Sequence, residues 1–272
     1  MHDVLQLDGS VKKSIELPKV FECEVNIPVM RRAANAEMTL KLQPQGHYVL
    51  AGMQTTAAYY GAMSSYRTGR HMGIAIRPRE KLGGGVQGKV KRIPSAVKGK
   101  RAHPHMVEKR LVERINRKEY IRAMESAIAS TKFEMHGAGV KSAPIILSDE
   151  IESIGKTKQL VAVLYKLGLG NYLEERSKPS LKKGLRRSAR VRHFRKSLLF
   201  VFSNGAKAAK AARNIPGVAA CTVSTLTVGA LAPGGSAGRL SVWSESAINS
   251  ISDAVSAYSL SAGKAKHGAN NK

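Results

Sequence analysis

The distribution of positive charge constrains this sequence more than any other feature. The 272 residues include 45 lysines and arginines against 19 acidic residues, so the formal net charge is +26 at pH 7. Such a charge destabilises a compact state by self-repulsion unless a polyanion neutralises it. Nucleic acid and an anionic membrane surface are the two candidate polyanions. The sequence therefore predicts a chain that works in contact with one of them.

Two windows of the sequence hold nearly all of this charge. Residues 67–118 contain 16 lysines and arginines and three acidic residues, which is a net charge of +13. Residues 176–196 contain ten basic residues and no acidic one, which is a net charge of +10. The signs do not alternate as they do on an ordinary solvated helix face, so both windows are predicted to bind a polyanion. The remaining residues are close to neutral and typical of an ordinary soluble domain.

A membrane is the weaker of the two candidate partners. The longest strongly apolar segment, Ser197–Ser203, has the length of a strand, whereas about 18 apolar residues are needed to span a bilayer. The first ten residues lack the basic-then-apolar order of a signal peptide, which favours a cytoplasmic protein with no membrane partner. Nucleic acid is therefore the expected partner.

The stretch from Gln43 to Pro104 lacks the periodicity of a packed element. Glycine recurs through it, and four prolines prevent long helices. A loop of this length in a compact domain usually indicates either a function or disorder. Glycines let the backbone approach a ligand closely, and the interspersed basic residues can pair with phosphates. We therefore predict a long extended basic loop at residues 45–104 that binds RNA; a flexible linker is the alternative, but linkers are rarely this basic or this rich in Tyr and Ile.

The segment GGGVQGKV within this loop raises the alternative of a nucleotide hydrolase. Gly83, Gly88 and Lys89 fit the first seven positions of the phosphate-loop pattern G-x-x-x-x-G-K-[ST]. A working phosphate loop follows a buried strand and precedes a helix whose N-terminus faces the anion. Here the preceding residues are mostly charged, Pro94 stops any following helix, and Val90 replaces the magnesium-binding Ser or Thr. We therefore expect no catalytic residues and no enzymatic activity.

Histidine and cysteine patterns do not predict a metal site. His103 and His105 are separated by Pro104 and accompanied by no carboxylate, which favours a surface or RNA-contacting role. Cys23 and Cys221 form no C-x-x-C motif, so a zinc site or a disulfide is not expected.

The near-neutral remainder alternates apolar strand segments with helical segments. Strands are predicted at Ala143–Glu150, Ser197–Asn204, Gly217–Leu226 and Arg239–Trp243, and helices at Pro28–Leu40, Ile115–Phe133, Thr157–Leu169, Gly205–Asn214 and Ser244–Val255. Asn116 is predicted to cap its helix, with Glu119 completing a capping-box pair.

This alternation predicts an α/β fold. Continuous apolar strands indicate a mostly parallel sheet flanked by helices in a Rossmann-like three-layer arrangement, with the long extended basic loop inserted in it. The globular domain is expected at residues 1–44 and 105–258, the loop at 45–104 and a flexible tail at 259–272.

The C-terminal stretch Ala212–Ile248 contains RNIPG, LAPGG, GRL and WSESA in this order. With these motifs it resembles the universal large-ribosomal-subunit protein four family, the "L-four" family, in its archaeal and eukaryotic form. Further similar pieces are SSYRTGR, RIPSAVKGKRAHPH, NRKEYIRAMESAIAS and KTKQLVAVLYKLGL, so the resemblance spans nearly the whole chain. The chain length indicates the archaeal form.

This resemblance implies a structural constituent of the large ribosomal subunit that binds large-subunit rRNA without catalysis. The globular domain would lie on the outer face of the subunit, and the loop would reach the wall of the peptide exit tunnel near its constriction. The implied partners are rRNA, neighbouring large-subunit proteins including the other tunnel-constriction protein, and the nascent peptide near the loop tip. No cofactor is implied, and structural Mg²⁺ would belong to the rRNA.

Basic and stacking side chains of the two windows are the candidate rRNA contacts. In the first window they are Tyr66, Arg67, Arg70, His71, Arg77, Arg79, Lys81, Lys89, Lys91, Arg92, Lys98, Lys100, Arg101 and His103. In the second they are Lys182, Lys183, Arg186, Arg187, Arg190, Arg192 and Arg195. The segments TGR and VKGKR match the flanks of the family's loop, so Arg70, Lys98 and Arg101 are the strongest candidates.

The loop is predicted to be disordered in the free protein and to fold only against RNA. A free-standing RNA or DNA chaperone that uses the basic windows non-specifically is the remaining alternative.

Overall fold

Apolar strand segments and helices alternate along the chain and build one central sheet. In the computed structural model, residues 2–59, 73–132, 143–181 and 192–257 are described. The chain divides into two compact units, one formed by Met1–Lys41 with Val112–Lys272 and the other by Leu42–Leu111. We call the first the sheet unit and the second the insert unit.

The elements of the described residues are given in chain order. The strands are β1 (His2–Leu5), β2 (Val11–Ile15), β3 (Arg79–Lys81), β4 (Gln87–Val90), β5 (Ile145–Leu147), β6 (Ser180–Leu181), β7 (Arg192–His193), β8 (Leu199–Phe202), β9 (Ala219–Thr222) and β10 (Ser241–Ser244). The helices are α1 (Ile27–Thr39), α2 (Arg117–Ala129), α3 (Thr157–Lys166), α4 (Gly170–Ser177), α5 (Ala208–Arg213), α6 (Val228–Leu231) and α7 (Glu245–Ala257).

Six strands of the sheet unit form the central sheet in the order β2-β1-β5-β10-β8-β9. The β1–β2 pair is antiparallel, and every other neighbouring pair is parallel. Val242 of β10 lies opposite Ile145 of β5 on one side and Phe200 of β8 on the other. The prediction of an α/β fold with a mostly parallel sheet and flanking helices is therefore confirmed.

Alternate residues of each central strand enter two different apolar clusters. Leu199 and Val201 of β8 pack with residues of α1, α2, α6 and α7, whereas Phe200 and Phe202 pack with residues of α3, α4 and α5. Trp243 belongs to the first cluster, where the ring of Phe21 meets it edge-on at 5.4 Å. Strands covered on both faces need apolar residues at every position, which explains the uninterrupted apolar runs.

The N-terminal hairpin of β1 and β2 was not predicted. Most of β2 is exposed, and its sequence VKKSI offers only a weak apolar alternation. Lys13 pairs with Glu245 at 2.5 Å, and Lys12 lies 3.9 Å from Glu150. Charged side chains on an edge strand hinder pairing with another chain, and they also obscure the strand in the sequence.

The capping box predicted at the start of α2 is wrong. Asn116 does precede the helix, but its side chain makes no capping hydrogen bond. The Glu119 carboxylate pairs instead with Arg32 of α1 at 3.1 Å. Asn26 does cap α1, because its side chain accepts a hydrogen bond from the Val29 amide at 3.2 Å.

Glu37 of α1 connects three helices, α1, α2 and α6, that contribute to the first apolar cluster. Its carboxylate accepts hydrogen bonds from the amides of Val228 and Gly229 at the start of α6, both at 2.8 Å. It also accepts one from the Tyr120 hydroxyl of α2 at 2.7 Å. A carboxylate at a helix N-terminus satisfies amides that have no partner within the helix.

The LAPGG motif forms a tight turn against α1. Gly234 and Gly235 both adopt positive φ angles, 70° and 73°. A Cβ atom on Gly235 would lie 2.6 Å from the Arg31 Cα, closer than non-bonded carbon atoms approach. Nothing lies within 4 Å of the corresponding position on Gly234. The first glycine therefore supplies only the backbone conformation, and the second also allows the close contact with α1.

We expect Gly235→Ala to destabilise the sheet unit by about 3 kcal/mol, because backbone strain of about 1–2 kcal/mol is joined by the clash with α1. The matched variant Gly234→Ala should cost only the strain, about 1–2 kcal/mol. Urea unfolding followed by the fluorescence of Trp243, the single tryptophan of the chain, measures both. Equal losses for the two variants would contradict the role given to the contact with α1.

Candidate nucleic-acid interface

The GGGVQGKV segment of the insert unit forms part of a β-hairpin. Strands β3 and β4 pair antiparallel, with Arg79 opposite Val90 and Lys81 opposite Gln87. The three glycines between them form a short 3-10 turn in which Gly84 has a φ of 72°. This geometry lacks the strand–loop–helix arrangement of a phosphate loop, so the segment is not a nucleotide site of that kind.

The basic side chains of this hairpin are only partly neutralised. Lys91 lies 3.7 Å from Glu80. The Arg79 guanidinium donates from Nη2 to the Ala75 carbonyl at 3.2 Å, whereas its buried Nε has no hydrogen-bond partner among the described residues. Lys89 is exposed on β4.

A second group of basic residues lies in the turn segment 92–101, which contains the RIPSAVKGKR motif. The amides of Ala96 and Gly99 donate to the carbonyls of Ile93 and Ala96, which closes two successive turns. A Cβ atom on Gly99 would lie 2.0 Å from the Ile93 carbonyl oxygen, so only glycine fits there. Arg92 and Lys98 both have positive φ angles, 65° and 57°, which are unfavourable for residues with a Cβ atom.

Two hydrogen bonds connect this turn segment to other parts of the insert unit. Arg92 donates from Nη2 to the Thr55 carbonyl at 2.9 Å, and Arg77 donates from Nη1 to the Ser95 hydroxyl at 3.2 Å. The side chains of Lys98, Lys100 and Arg101 are exposed. The turn segment therefore presents three cations at the surface. Its backbone has two unfavourable φ angles, and two hydrogen bonds connect it to the rest of the insert unit.

The insert unit as a whole has a strong excess of positive charge. Residues 42–111 contain 13 lysines and arginines against two acidic residues, a net charge of +11. One of the two carboxylates, Glu80, lies beside Lys91. Large apolar side chains of the unit are also exposed, among them Val97 at 84 %, Val49 at 77 % and Tyr59 at 51 %. This surface suits a large polyanion that also offers apolar contact, such as the sugars and bases of RNA.

The sheet unit contains a buried cation that the sequence did not predict. Arg239 of the GRL motif is 6 % exposed and donates hydrogen bonds to the carbonyls of Ser197, Leu198 and Ala230 at 3.0, 2.8 and 2.6 Å. Burial lowers the pKa of its guanidinium to about 10. Among the described residues no carboxylate lies within ion-pair distance of it. Only the motif itself could have indicated this residue.

The carboxyl edge of the sheet, where open α/β sheets usually bind ligands, is filled by the protein's own side chains. Glu152 accepts hydrogen bonds from the Ser203 amide and hydroxyl and from the hydroxyls of Ser244 and Ser246. Asp149 accepts one from the Ser246 amide at the start of α7 at 2.8 Å. Two carboxylates thus lie where a phosphate would have to bind, which disfavours a nucleotide at this edge.

The surroundings of Glu152 also change its acidity. Burial alone would raise the pKa of its carboxyl group, but hydrogen bonds from Ser203, Ser244 and Ser246 outweigh burial and lower the pKa below its usual value. The ionised carboxylate is therefore the form that the folded protein prefers.

Neither a metal-binding cluster nor a membrane-spanning helix occurs among the described residues. In residues 2–59, 73–132, 143–181 and 192–257, no group of three or more His, Cys, Asp or Glu side chains could hold a metal ion. His103 and His105 are exposed, and Cys23 and Cys221 are free and partly buried. No helix in these ranges is long and apolar enough to cross a membrane.

Comparison with known proteins gives one family over most of the chain. The Ribosomal protein L4/L1 family matches residues 15–254. The chain belongs to this family. Three archaeal relatives carry the name "Large ribosomal subunit protein uL4". That of Methanococcus vannielii is 40 % identical over 92 % of this chain and 98 % of its own length. That of Methanocaldococcus jannaschii is 38 % identical over 92 % and 97 %, and that of Methanospirillum hungatei is 36 % identical over 91 % and 97 %.

Membership of the Ribosomal protein L4/L1 family confirms the resemblance found in the sequence and its archaeal character. Family membership also makes the chain a ribosomal protein, which is a structural component and not an enzyme. This agrees with the finding that the GGGVQGKV segment is not a phosphate loop.

The structure places the candidate contacts of this L4/L1 family member as follows. Arg77, Lys81, Lys89, Arg92, Lys98, Lys100, Arg101, His103 and Arg195 are exposed, and Arg79 and Lys91 are partly buried. Arg192 lies in β7, which pairs with β6. Tyr66, Arg67, Arg70, His71, Lys182, Lys183, Arg186, Arg187 and Arg190 lie outside the described residues. The structure therefore brings Arg92, Lys98, Lys100 and Arg101 together in one turn segment.

We expect Glu152→Gln to destabilise the sheet unit by about 1–2 kcal/mol at pH 7, because the amide cannot accept all the hydrogen bonds that the carboxylate accepts. The folded-state pKa is lowered, so this stabilisation is present above the ordinary pKa of 4.5 and lost as pH falls through the folded value. Urea unfolding measures the free energy of unfolding at pH 7 and near pH 3. The difference in this free energy between wild type and variant should be smaller near pH 3 than at pH 7.

The control for this prediction is Glu150→Gln, since Glu150 is an exposed residue of the same short 3-10 helix, 3.9 Å from Lys12. It should change stability by less than about 0.5 kcal/mol. If Glu152→Gln lowers the free energy of unfolding by the same amount at pH 7 and near pH 3, the role given to the Glu152 charge is contradicted.

Proposed function

We propose that the chain is a structural constituent of the large ribosomal subunit that binds rRNA and acts in the cytoplasm as part of the ribosome. The observation that carries this proposal is the identity of 36–40 % to relatives named as large-subunit proteins, over at least 91 % of the chain. Binding without catalysis also agrees with the structure, because cations are exposed while the carboxyl edge of the sheet is closed.

The insert unit is the principal rRNA-binding part in this proposal. Its net charge of +11 would neutralise phosphates and release their counterions, which gives an affinity that falls steeply with salt. The exposed Val49, Tyr59 and Val97 would gain apolar contacts with sugars and bases. A surface that combines positive charge with exposed apolar groups is more stable in contact with folded RNA than in water, because RNA neutralises the charge and covers the apolar groups.

The finer features implied by the family resemblance are part of the same proposal. Residues 45–104 form a long extended loop that reaches the wall of the exit tunnel, with the nascent peptide and the other tunnel-constriction protein near its tip. Residues 1–44 and 105–258 form a Rossmann-like three-layer domain on the outer face of the subunit, and residues 259–272 form a flexible tail. The basic residues at 182–195 lie on rRNA, whose Mg²⁺ ions are the only metal involved.

Sedimentation tests the assignment to the large subunit. The tagged chain should migrate with large subunits in a density gradient at physiological salt, because it is a stable component of that particle. A chain that sediments away from the subunits while still binding RNA would favour a free-standing RNA chaperone. A small-subunit protein tagged in the same way serves as the control for non-specific trapping.

We expect the double variant Lys98→Gln, Lys100→Gln to bind large-subunit rRNA more weakly. Two lost phosphate contacts should reduce the slope of log K against log salt concentration by about 1.5. Filter binding over a salt series measures this slope. The control Lys156→Gln, Lys158→Gln removes the same charge from exposed residues before and within α3 and should keep the wild-type slope. Equal slopes for both double variants would contradict the role of the turn segment.

We expect limited trypsin digestion of the free chain to cleave mainly between Gly46 and Arg101. The insert unit is rich in basic cleavage sites, exposes its apolar side chains and has a two-stranded hairpin that is marginally stable in isolation. Added rRNA should suppress this cleavage, because the unit then orders against it. Cleavage in the buried helices of the sheet unit serves as the reference. An insert unit that resists trypsin without RNA would contradict folding on RNA.

A further inference from the structure

Two neighbouring clefts of the sheet unit share the side chains of Lys196 and Arg239. The first has a volume of about 340 Å³ and is also lined by Lys41 and Met38. The second has a volume of about 350 Å³ and is also lined by Arg195. Both lie at the lower end of the range of ligand pockets in proteins. We call the two clefts together the basic groove.

The cations of the basic groove repel one another. Lys196 is an exposed residue, yet partial burial of its amine, followed by repulsion from Arg239 and Lys41, lowers its pKa. Arg239 is held from behind by three backbone carbonyls, so it cannot move away from its neighbours. The groove is therefore charged, and its Arg239 is held in place, before any ligand arrives.

The groove has little negative charge of its own. Glu37 is the one carboxylate among the residues described in its walls, and it lies in the first cleft. Its two oxygens already accept hydrogen bonds from the amides of Val228 and Gly229 and from the Tyr120 hydroxyl. Glu37 raises the pKa of Lys196, but less than the other groups lower it. The groove therefore has an excess of positive charge that favours the binding of an external anion.

The composition of the walls favours RNA over an acidic peptide. Arg195 and Lys196 are the last two residues of the basic window 176–196, so the groove continues a segment that has no acidic residue. Met38, which is 58 % exposed, gives the first cleft an apolar side next to Lys41. Phosphates along a strand with bases beside them match a row of cations with an apolar wall better than isolated carboxylates do.

We propose that the basic groove binds a single-stranded segment of rRNA, with one phosphate held by Lys196 between Lys41 and Arg195. This inference rests on the proposed function, because it extends the rRNA contact proposed for residues 182–195 into a defined groove of the sheet unit. A phosphate at this position relieves the repulsion among the cations and raises the pKa of the Lys196 amine towards its ordinary value.

Lysine labelling of the full-length chain, free and bound to purified large-subunit rRNA, tests the groove directly. Acylation of exposed amines, read by mass spectrometry, should fall several-fold at Lys196 and Lys41 when rRNA is bound. Lys158 on α3, an exposed lysine of the same unit outside the groove, serves as the reference and should keep its reactivity. Unchanged labelling of Lys196 and Lys41 would overturn the proposal. Protection that appears only in assembled subunits and not with rRNA alone would also overturn it, because the groove would then belong to a protein neighbour.

A variant gives the second measurement. Lys196→Gln should reduce the slope of log K against log salt concentration by about 0.7, the effect of one lost phosphate contact on a single strand, whereas Lys196→Arg should keep it. Lys158→Gln is the control of equal charge, and Trp243 fluorescence verifies that each variant is folded. If Lys196→Gln keeps the wild-type slope while the double variant Lys98→Gln, Lys100→Gln reduces it, the groove proposal is overturned and the proposed function stands. Failure of the wild-type chain to bind rRNA overturns the groove and the proposed function together.

Discussion

Electrostatic repulsion among its many basic residues governs how this chain folds. A net charge of +26 opposes any compact arrangement, and the chain meets this by concentrating nearly all of the excess in two windows. Apolar strands and helices of the near-neutral remainder build two clusters on the two faces of one sheet. The insert unit, with its charge of +11, has a small hairpin and a few tight turns. The chain thus separates the residues that fold by burying apolar surface from those that require a polyanion.

Three carboxylates of the sheet unit accept hydrogen bonds from its own backbone amides and serine hydroxyls. Glu37 and Asp149 accept hydrogen bonds from amides at the starts of α6 and α7, and Glu152 accepts them from serines at the ends of β8 and β10 and at the start of α7. This has two consequences for function. The carboxyl edge of the sheet is closed to phosphates, which agrees with a structural component rather than an enzyme. Lys41, Arg195 and Lys196 of the basic groove form no ion pair with a carboxylate among the described residues, so they can pair with an external anion.

The motifs that indicate the family have separate physical reasons. In LAPGG, Gly235 allows a turn to contact α1 at a distance that no Cβ atom would permit. In GRL, Arg239 donates to the carbonyls of Ser197, Leu198 and Ala230, which supplies its buried guanidinium with hydrogen-bond partners. In WSESA, Ser244 caps α7 while Trp243 fills the first apolar cluster. These residues hold the sheet unit together, whereas the basic residues of RIPSAVKGKR lie at the surface of the insert unit.

The sequence predicted the α/β class, most of the buried strands and helices and the lack of a phosphate loop. These depend on local apolar patterns and on the spacing of glycine and proline, which can be read along the chain. It did not determine the β1–β2 hairpin, whose charged edge strand has little apolar alternation, or the partner of Glu119, which lies on another helix. Only the tertiary structure brought Lys41, Lys196 and Arg239 into one groove, because these residues come from three distant parts of the chain and their proximity depends on how α1, β8 and β10 pack. Charge can be counted from the sequence, but its local density depends on the fold.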